Sequence, residues 1–166
     1  MLFRSVIAAL QGAVIGGGLE LASSVHIRVA DSTTYYALPE GQRGIFVGGG
    51  GSVRVPRLIG VALMTDMMMT GRVIKADEGR LLGFSQYLVE PGKSLETALE
   101  LAAKVAGNAR MTNYALMHVL PRIADVGPEQ GLMMESLTAA IAQSAPEAKA
   151  RVRDFLEKRA GKVQAK

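Results

Sequence analysis

Apolar positions come first in strand-like runs and later at helical spacing. Residues 5–12, SVIAALQG, are β-branched and apolar and predict a buried strand that ends in a turn. Three glycines, Gly16 to Gly18, follow, and LELASS (19–24) has helix-forming composition. HIRVAD (26–31) alternates and predicts a second strand. The segment TYYALPEG (34–41) comes next, with no element assigned to it, and then a second glycine cluster, VGGGGS (47–52). The order strand, Gly-rich turn, helix, strand predicts a βαβ-like unit in an α/β fold.

From Ser52 onward the pattern is mainly helical. SVRVPRLIGVALMTDMMMTG (52–71) spaces its apolar residues helically and stops at Gly71. KADEGRLLG (75–83) predicts a short helix with acidic residues in its first turn and a glycine at its end. QYLVEP (86–91) predicts a short strand closed by a proline, and SLETALELAAKVAGN (94–108) a longer helix opened by Ser94. Two or three further helices finish the chain, broken near Pro121, at GPEQG (127–131) and at Pro146. Met67, Met68 and Met69 are expected to pack in the core, not to form a flexible ligand surface.

Composition narrows the class. A chain of 166 residues is long enough for one domain with a substantial core. An apolar fraction of 49% is high, but Gly, Gln, Arg or Asp interrupts every apolar stretch before a membrane helix would be complete. The first residues read as strand and turn, not as a secretory signal, so a cytoplasmic protein is expected. Without cysteine there is neither a disulfide framework nor a thiolate metal site, and no metal is expected. The net charge of +4 is concentrated in KARVRDFLEKRAGKVQAK (149–166), where aromatics are scarce. A nucleic-acid partner, which would call for aromatics interleaved with basic residues, is not expected.

The glycine clusters fit neither standard phosphate loop. G-x-G-x-x-G would need a glycine where GGGLEL has leucine and GGGGSV has valine, and neither cluster leads to a Gly-Lys-Ser/Thr end. Glycine also lets a backbone come close to a ligand and aim an N–H at it. A helix starting at that point adds partial positive charge, so the cluster suits an oxyanion developing on a carbonyl. Glu20 then lies about one helical turn inside. Glu40 follows it by 20 residues, directly after Pro39, enough chain to leave through a helix and return through a strand. Two carboxylates sharing an apolar pocket can divide the roles of acid and base. Two unrelated surface glutamates, beside a merely flexible glycine turn, fit the same residues.

These stretches resemble the crotonase superfamily, and specifically its enoyl-CoA hydratases. VIAALQGAVIGGGLELASSVHIRVAD (6–31) is similar to that family's strand, glycine turn and catalytic helix. YALPEGQRGIFVGGGGSVRVPRLIG (36–60) resembles its second segment, MTGRVIKADEGRLLGFSQYLVEP (69–91) its next helix–turn–helix–strand, and VRDFLEKR (152–159) its last helix. The resemblance implies a crotonase-like (ClpP/crotonase) spiral core over residues 1–91 and a helical C-terminal region for trimerisation or lid formation over 92–166. It implies Gly17 as an oxyanion-hole amide for the thioester carbonyl. Glu20 and Glu40 take the positions of the glutamates that activate water and deliver the proton across the 2,3-double bond. Gly48 matches a glycine lining the acyl and water site, and Phe155 and Lys158 match residues that reach a neighbouring subunit's CoA. The implied substrate is an acyl-CoA thioester, with no separate cofactor, and the implied assembly a trimer or dimer of trimers. Family isomerases commonly keep only the carboxylate at the Glu40 position, so the presence of both favours hydration. Isomerase, another hydratase–lyase, and a non-catalytic subunit or RNA-associated relative are the alternatives.

Three departures accompany the resemblance. His26 stands where the family usually has aspartate and is expected to be structural. IFVGGGGSVRV (45–55) replaces Ile-Pro-Gly-x-Gly-Gly-Thr-Gln-Arg, so Val47 and Val53 are expected to reshape the acyl pocket. The family's N-terminal strands, and the Ala-x-x-Gly-Asp-like loop that supplies the second oxyanion donor, have no counterpart in these residues. The chain therefore resembles the C-terminal part of a longer protein, with half an oxyanion hole and exposed sheet edges.

Overall fold

The computed structural model describes residues 4–161. They divide into two compact units, Arg4–Lys104 and the residues from Val105 onward. The first is the α/β unit.

Its strands form two three-stranded sheets. One has the order β1 (Ile7–Leu10), β3 (Ile27–Asp31), β6 (Tyr87–Val89), all parallel, with Ile7 opposite Ile27 and Val29 opposite Tyr87. The other has the order β2 (Ala13–Ile15), β4 (Tyr35–Ala37), β5 (Ile74–Lys75), with β2 and β4 parallel and β5 antiparallel. The chain thus steps from the first sheet to the second twice, between β1 and β2 and again between β3 and β4. Each pass lays one strand beside its predecessor in both sheets, which is a spiral.

Two devices fix the step. Gly12, at φ +60, makes the turn after β1, and its N–H donates to Thr33 Oγ1 while its carbonyl accepts from Tyr35 N. Asp31, fully buried at the end of β3, accepts from Thr33 N (3.0 Å) and the Thr33 hydroxyl through Oδ1, and from Gly92 N (2.9 Å) through Oδ2. Burial alone would push the Asp31 carboxyl up, but the hydrogen bonds from Thr33 and Gly92 outweigh it and hold it below the ordinary aspartate range.

α1 (Gly17–Ala22) links β2 to β3, and α2 (Gly51–Ile59), α3 (Val61–Thr70) and α4 (Ala76–Leu82) pack over the sheets, with α5 (Ser94–Ala106) after β6. The core joins Leu19 of α1, Tyr36 and Leu38 near β4, Val55, Met67 and Phe84. Burying a side chain of the Leu19 kind stabilises by about 1.5–3 kcal/mol. Tyr36 and Phe84 stack with centroids 4.6 Å apart. A β-carbon on Gly79 would run into the Tyr36 ring, so α4 can approach only because that position is bare.

Several sequence expectations change here. The run after the first strand is not only a turn, because Ala13–Ile15 pair with Tyr35–Ala37 as β2 and β4. The long helical stretch is two helices meeting at Gly60, whose φ of +82 no ordinary helical residue adopts. Of the three methionines only Met67 is fully buried; Met69 is exposed, because consecutive helical positions point about 100° apart. His26 has the structural role expected of it, its Nδ1 accepting Val6 N at 3.0 Å.

The unit from Val105 onward is helical. Among its described residues it holds α6 (Arg110–His118), the single turn α7 (Leu120–Ile123), α8 (Pro128–Ser144) and α9 (Pro146–Leu156), four helices where two or three were expected. Proline opens α8 and α9 at the position where its missing N–H costs nothing. Among the described residues of this unit only Ala109 and Gly131 are buried, and Leu132, Met133, Leu137, Ile141, Phe155 and Leu156 are exposed. No helix among the described residues is long and apolar enough to cross a membrane.

Candidate active site

Gly16 ends β2 and caps α1 in a conformation (φ +53, ψ −123) that is open to glycine and costly for any side chain. Its N–H donates to Ala37 O at 3.0 Å, and its carbonyl accepts Glu20 N at 2.9 Å. Gly17 is the first residue of α1, so its N–H has no acceptor within the helix. A β-carbon there would meet nothing within 4 Å, so the space beside its α-carbon is open.

Glu20, one turn into α1, is 6% exposed. Its Oε1 accepts two backbone donors, Gly49 N and Gly51 N, both at 2.8 Å. Those amides flank Gly50, which caps α2 at φ +91, so the second glycine cluster wraps the carboxylate with its own backbone. β-Carbons at Gly49 and Gly51 would stand 3.0 Å from Glu20 Oε2 and 2.7 Å from Glu20 Cγ. A β-carbon at Gly51 would force Glu20 to shift, and one at Gly49 would press on its carboxylate. The clustered glycines therefore approach a side chain of the chain itself.

Glu40, after Pro39, is 7% exposed and opens a short 3-10 turn, Gly41–Arg43. Its carboxylate packs against the backbone of Gly16, and its Oε2 is buried with no hydrogen-bond partner among the described residues. An unpartnered carboxylate oxygen in the interior is costly, which makes it a candidate for binding water or substrate. The two glutamates thus meet the same turn: Glu20 belongs to the helix that Gly16 caps, and Glu40 lies against Gly16 itself.

The remaining candidates fall differently. Gly48 is exposed, and a β-carbon there would meet nothing within 4 Å. Val47 is buried in the core cluster, whereas Val53 is on the exposed face of α2. Phe155 and Lys158 belong to the helical unit, both exposed, with Lys158 N bonded to Phe155 O and Lys158 left-handed at φ +57. No group of three His, Cys, Asp or Glu suited to a metal ion occurs among the described residues.

Sequence reasoning missed Gly49 and Gly51 as donors to Glu20, and with them Arg54. The Arg54 guanidinium donates to Glu20 O (3.1 Å) and to Gly49 O, and Ser23 Oγ donates to the same Glu20 carbonyl at 2.7 Å. The visible signal was four successive glycines followed three positions later by an arginine.

Comparison with known proteins identifies relatives of the chain. A crystal structure from Rhodopseudomonas palustris CGA009 superimposes with a TM-score of 0.91 at 63% identity, over 95% of this chain and 61% of that one. The short-chain-enoyl-CoA hydratase of Clostridium acetobutylicum is 34% identical over 96% of this chain and 61% of its own length. The fatty acid oxidation complex subunit alpha of Shewanella frigidimarina is 46% identical over 60% of this chain and 14% of its own. The chain thus spans less than two thirds of each of these three proteins. The model of the enoyl-CoA hydratase/isomerase family matches residues 4–165, and with the crotonase-type α/β fold this establishes that the chain belongs to that family.

Proposed function

We propose that these residues carry the acid–base half of an enoyl-CoA hydratase site, adding water syn across the 2,3-double bond of an acyl-CoA thioester. The observation that carries this reading is the pair of buried carboxylates set on one glycine turn, each with an oxygen left over. Glu20 Oε1 is occupied by two amides, which leaves Oε2 to orient a water molecule, and Glu40 contributes its unpartnered Oε2. In the proposed reaction the water oxygen bonds to C3 and a proton is delivered to C2, the glutamates taking and giving the protons. The Gly17 N–H holds the thioester oxygen while negative charge develops on it. Gly48 borders the acyl and water position. CoA enters as part of the substrate, so no separate cofactor takes part.

Retention of both carboxylates supports hydration over double-bond migration, for which one proton-shuttling carboxylate suffices. The exposed apolar rows of α8 and α9 support a homo-oligomer, a trimer or dimer of trimers, in which Phe155 and Lys158 reach a neighbour's CoA. The second oxyanion donor belongs, by the resemblance, to a loop these 166 residues do not contain, so the chain alone is expected to hydrate weakly.

The test is hydration of crotonyl-CoA, followed by loss of the conjugated thioester absorbance. It is run on the chain alone and on the chain joined behind the N-terminal segment of the Rhodopseudomonas palustris protein. Hydration in the joined protein supports the reading. Migration of a 3-enoyl double bond without hydration points to an isomerase, and activity in neither assay rejects both.

A further inference from the structure

We infer that Arg54 is a positioning residue that holds Glu20 in place through the glycine loop; this rests on the proposed role of Glu20. Residues 48–51 carry no side chains, so nothing of their own locks the two amides that grip the carboxylate. Arg54 lies one turn into α2 and reaches back over them. Its Nη2 donates both to Gly49 O and to Glu20 O, and its Nε approaches Ser23 Oγ at 3.4 Å.

Gly49 is the shared element. Its N–H holds Glu20 Oε1 at 2.8 Å, and its carbonyl is held by the guanidinium that also holds the Glu20 main chain. A closed circuit results, with one residue gripped at its carboxylate and its carbonyl by the same loop and cation. Gly50 is fitted to it: at φ +91 it turns the chain into α2, and a β-carbon there would strike the guanidinium. The Glu20 carbonyl is also one of the last carbonyls of a six-residue helix, where a cation is favoured. The planar guanidinium sets Nε against Ser23 Oγ while Nη2 serves both carbonyls, two separate donor positions that the single ammonium of lysine does not offer.

Freed of Arg54, the two peptide groups that meet at Gly49 can turn, carrying its N–H off Oε1 and letting the carboxylate move. A displacement of about 1 Å at a catalytic group can cost ~10²-fold in rate. The effect belongs on the chemical step and not on substrate binding, because Arg54 touches Glu20 and its loop.

The test uses Arg54→Met, Arg54→Lys and Arg54→Ala in the whole chain. Amide hydrogen exchange reads the tether directly: Gly49 and Gly51 in Arg54→Met should exchange at least ~10-fold faster, with the amides of β1 and β3 unchanged. In the hydration assay on the joined protein, kcat should fall ~10-fold or more with KM within about twofold. Arg54→Lys should be intermediate, and added guanidinium ion should restore both exchange protection and kcat to Arg54→Ala, which a merely structural role would not allow. Unchanged Gly49 and Gly51 exchange in folded Arg54→Met overturns the proposal. If Arg54→Met does not fold, the same comparison in Arg54→Lys decides. Absence of hydration in the unsubstituted protein counts against the proposed reaction alone, since exchange still tests the tether.

Discussion

Glu40 Oε1 lies 2.9 Å from the point where a β-carbon on Gly16 would stand. The glycine that turns the chain into α1 is therefore also the surface on which the second carboxylate rests. Gly16→Ala meets two penalties at once, a backbone conformation unfit for a side chain and a displaced carboxylate. A strained backbone of this kind costs about 1–3 kcal/mol. The variant is expected to melt at lower temperature and to lose more hydration activity than that loss of stability explains. Activity measured well below the melting transition separates the two effects.

The second cluster allows a comparison within one loop. A β-carbon at Gly51 would intrude on Glu20, whereas one at Gly48 meets open space. Gly51→Ala is expected to lower the melting temperature clearly, and Gly48→Ala to leave the unfolding free energy within about 0.5 kcal/mol of the unsubstituted protein, the range for surface changes. If Gly48 borders the acyl site, Gly48→Ala raises KM for crotonyl-CoA in the joined protein while stability holds. Equal melting of the two variants would contradict the wrap around Glu20.

Asp31 gives the fold a pH signature. Its carboxyl is held below the ordinary aspartate value, so the stability it contributes is complete above about pH 4, where an unfolded aspartate is ionised. That contribution is lost as pH falls through the lower folded value, because protonation then removes acceptors from Thr33 and Gly92. Asp31→Asn keeps one oxygen but offers Gly92 N–H no acceptor, and a buried donor left unpaired costs about 1–3 kcal/mol. The difference in unfolding free energy between the two proteins should be constant near neutral pH and shrink below pH 4. A difference that grew on acidification would reverse the assigned sign.

What the sequence made legible follows from the range of the interactions. β1, β3 and α1 were readable because their signals are local: a β-branched apolar run, an alternation and a helix-forming composition. β2 and β5, at three and two residues, are too short to show a period and exist only through pairing with β4. The Glu20–Glu40 pair was readable through residue type, spacing and resemblance to a known family. The grip of Gly49 and Gly51 on Glu20 was not, because it joins main-chain donors to a side chain 29 and 31 positions away. Backbone N–H groups carry no residue signature, and a run of glycines says only that something comes close.

That grip makes glutamine and alanine at position 20 different experiments. In Glu20→Gln the amide oxygen can still accept from Gly49 and Gly51, so the glycine loop stays closed and the melting temperature should stay close to that of the unsubstituted protein. The other end of the side chain changes from an acceptor to a donor, and water can no longer give it a proton. Hydration by the joined protein should then fall by at least ~10²-fold, the lower range for a general acid–base group. Glu20→Ala removes the acceptor as well and leaves two buried N–H groups unpaired, at about 1–3 kcal/mol each. It should lose activity and stability together, with faster amide exchange at Gly49 and Gly51 as the local sign. Glu40→Gln provides the contrast: its Oε2 has no partner among the described residues, so the change costs little in folding and at least ~10²-fold in turnover. Near-normal hydration in either glutamine variant would remove that carboxylate from the reaction. Glu20→Gln as unstable as Glu20→Ala would mean that the two amides require a charged oxygen as their acceptor.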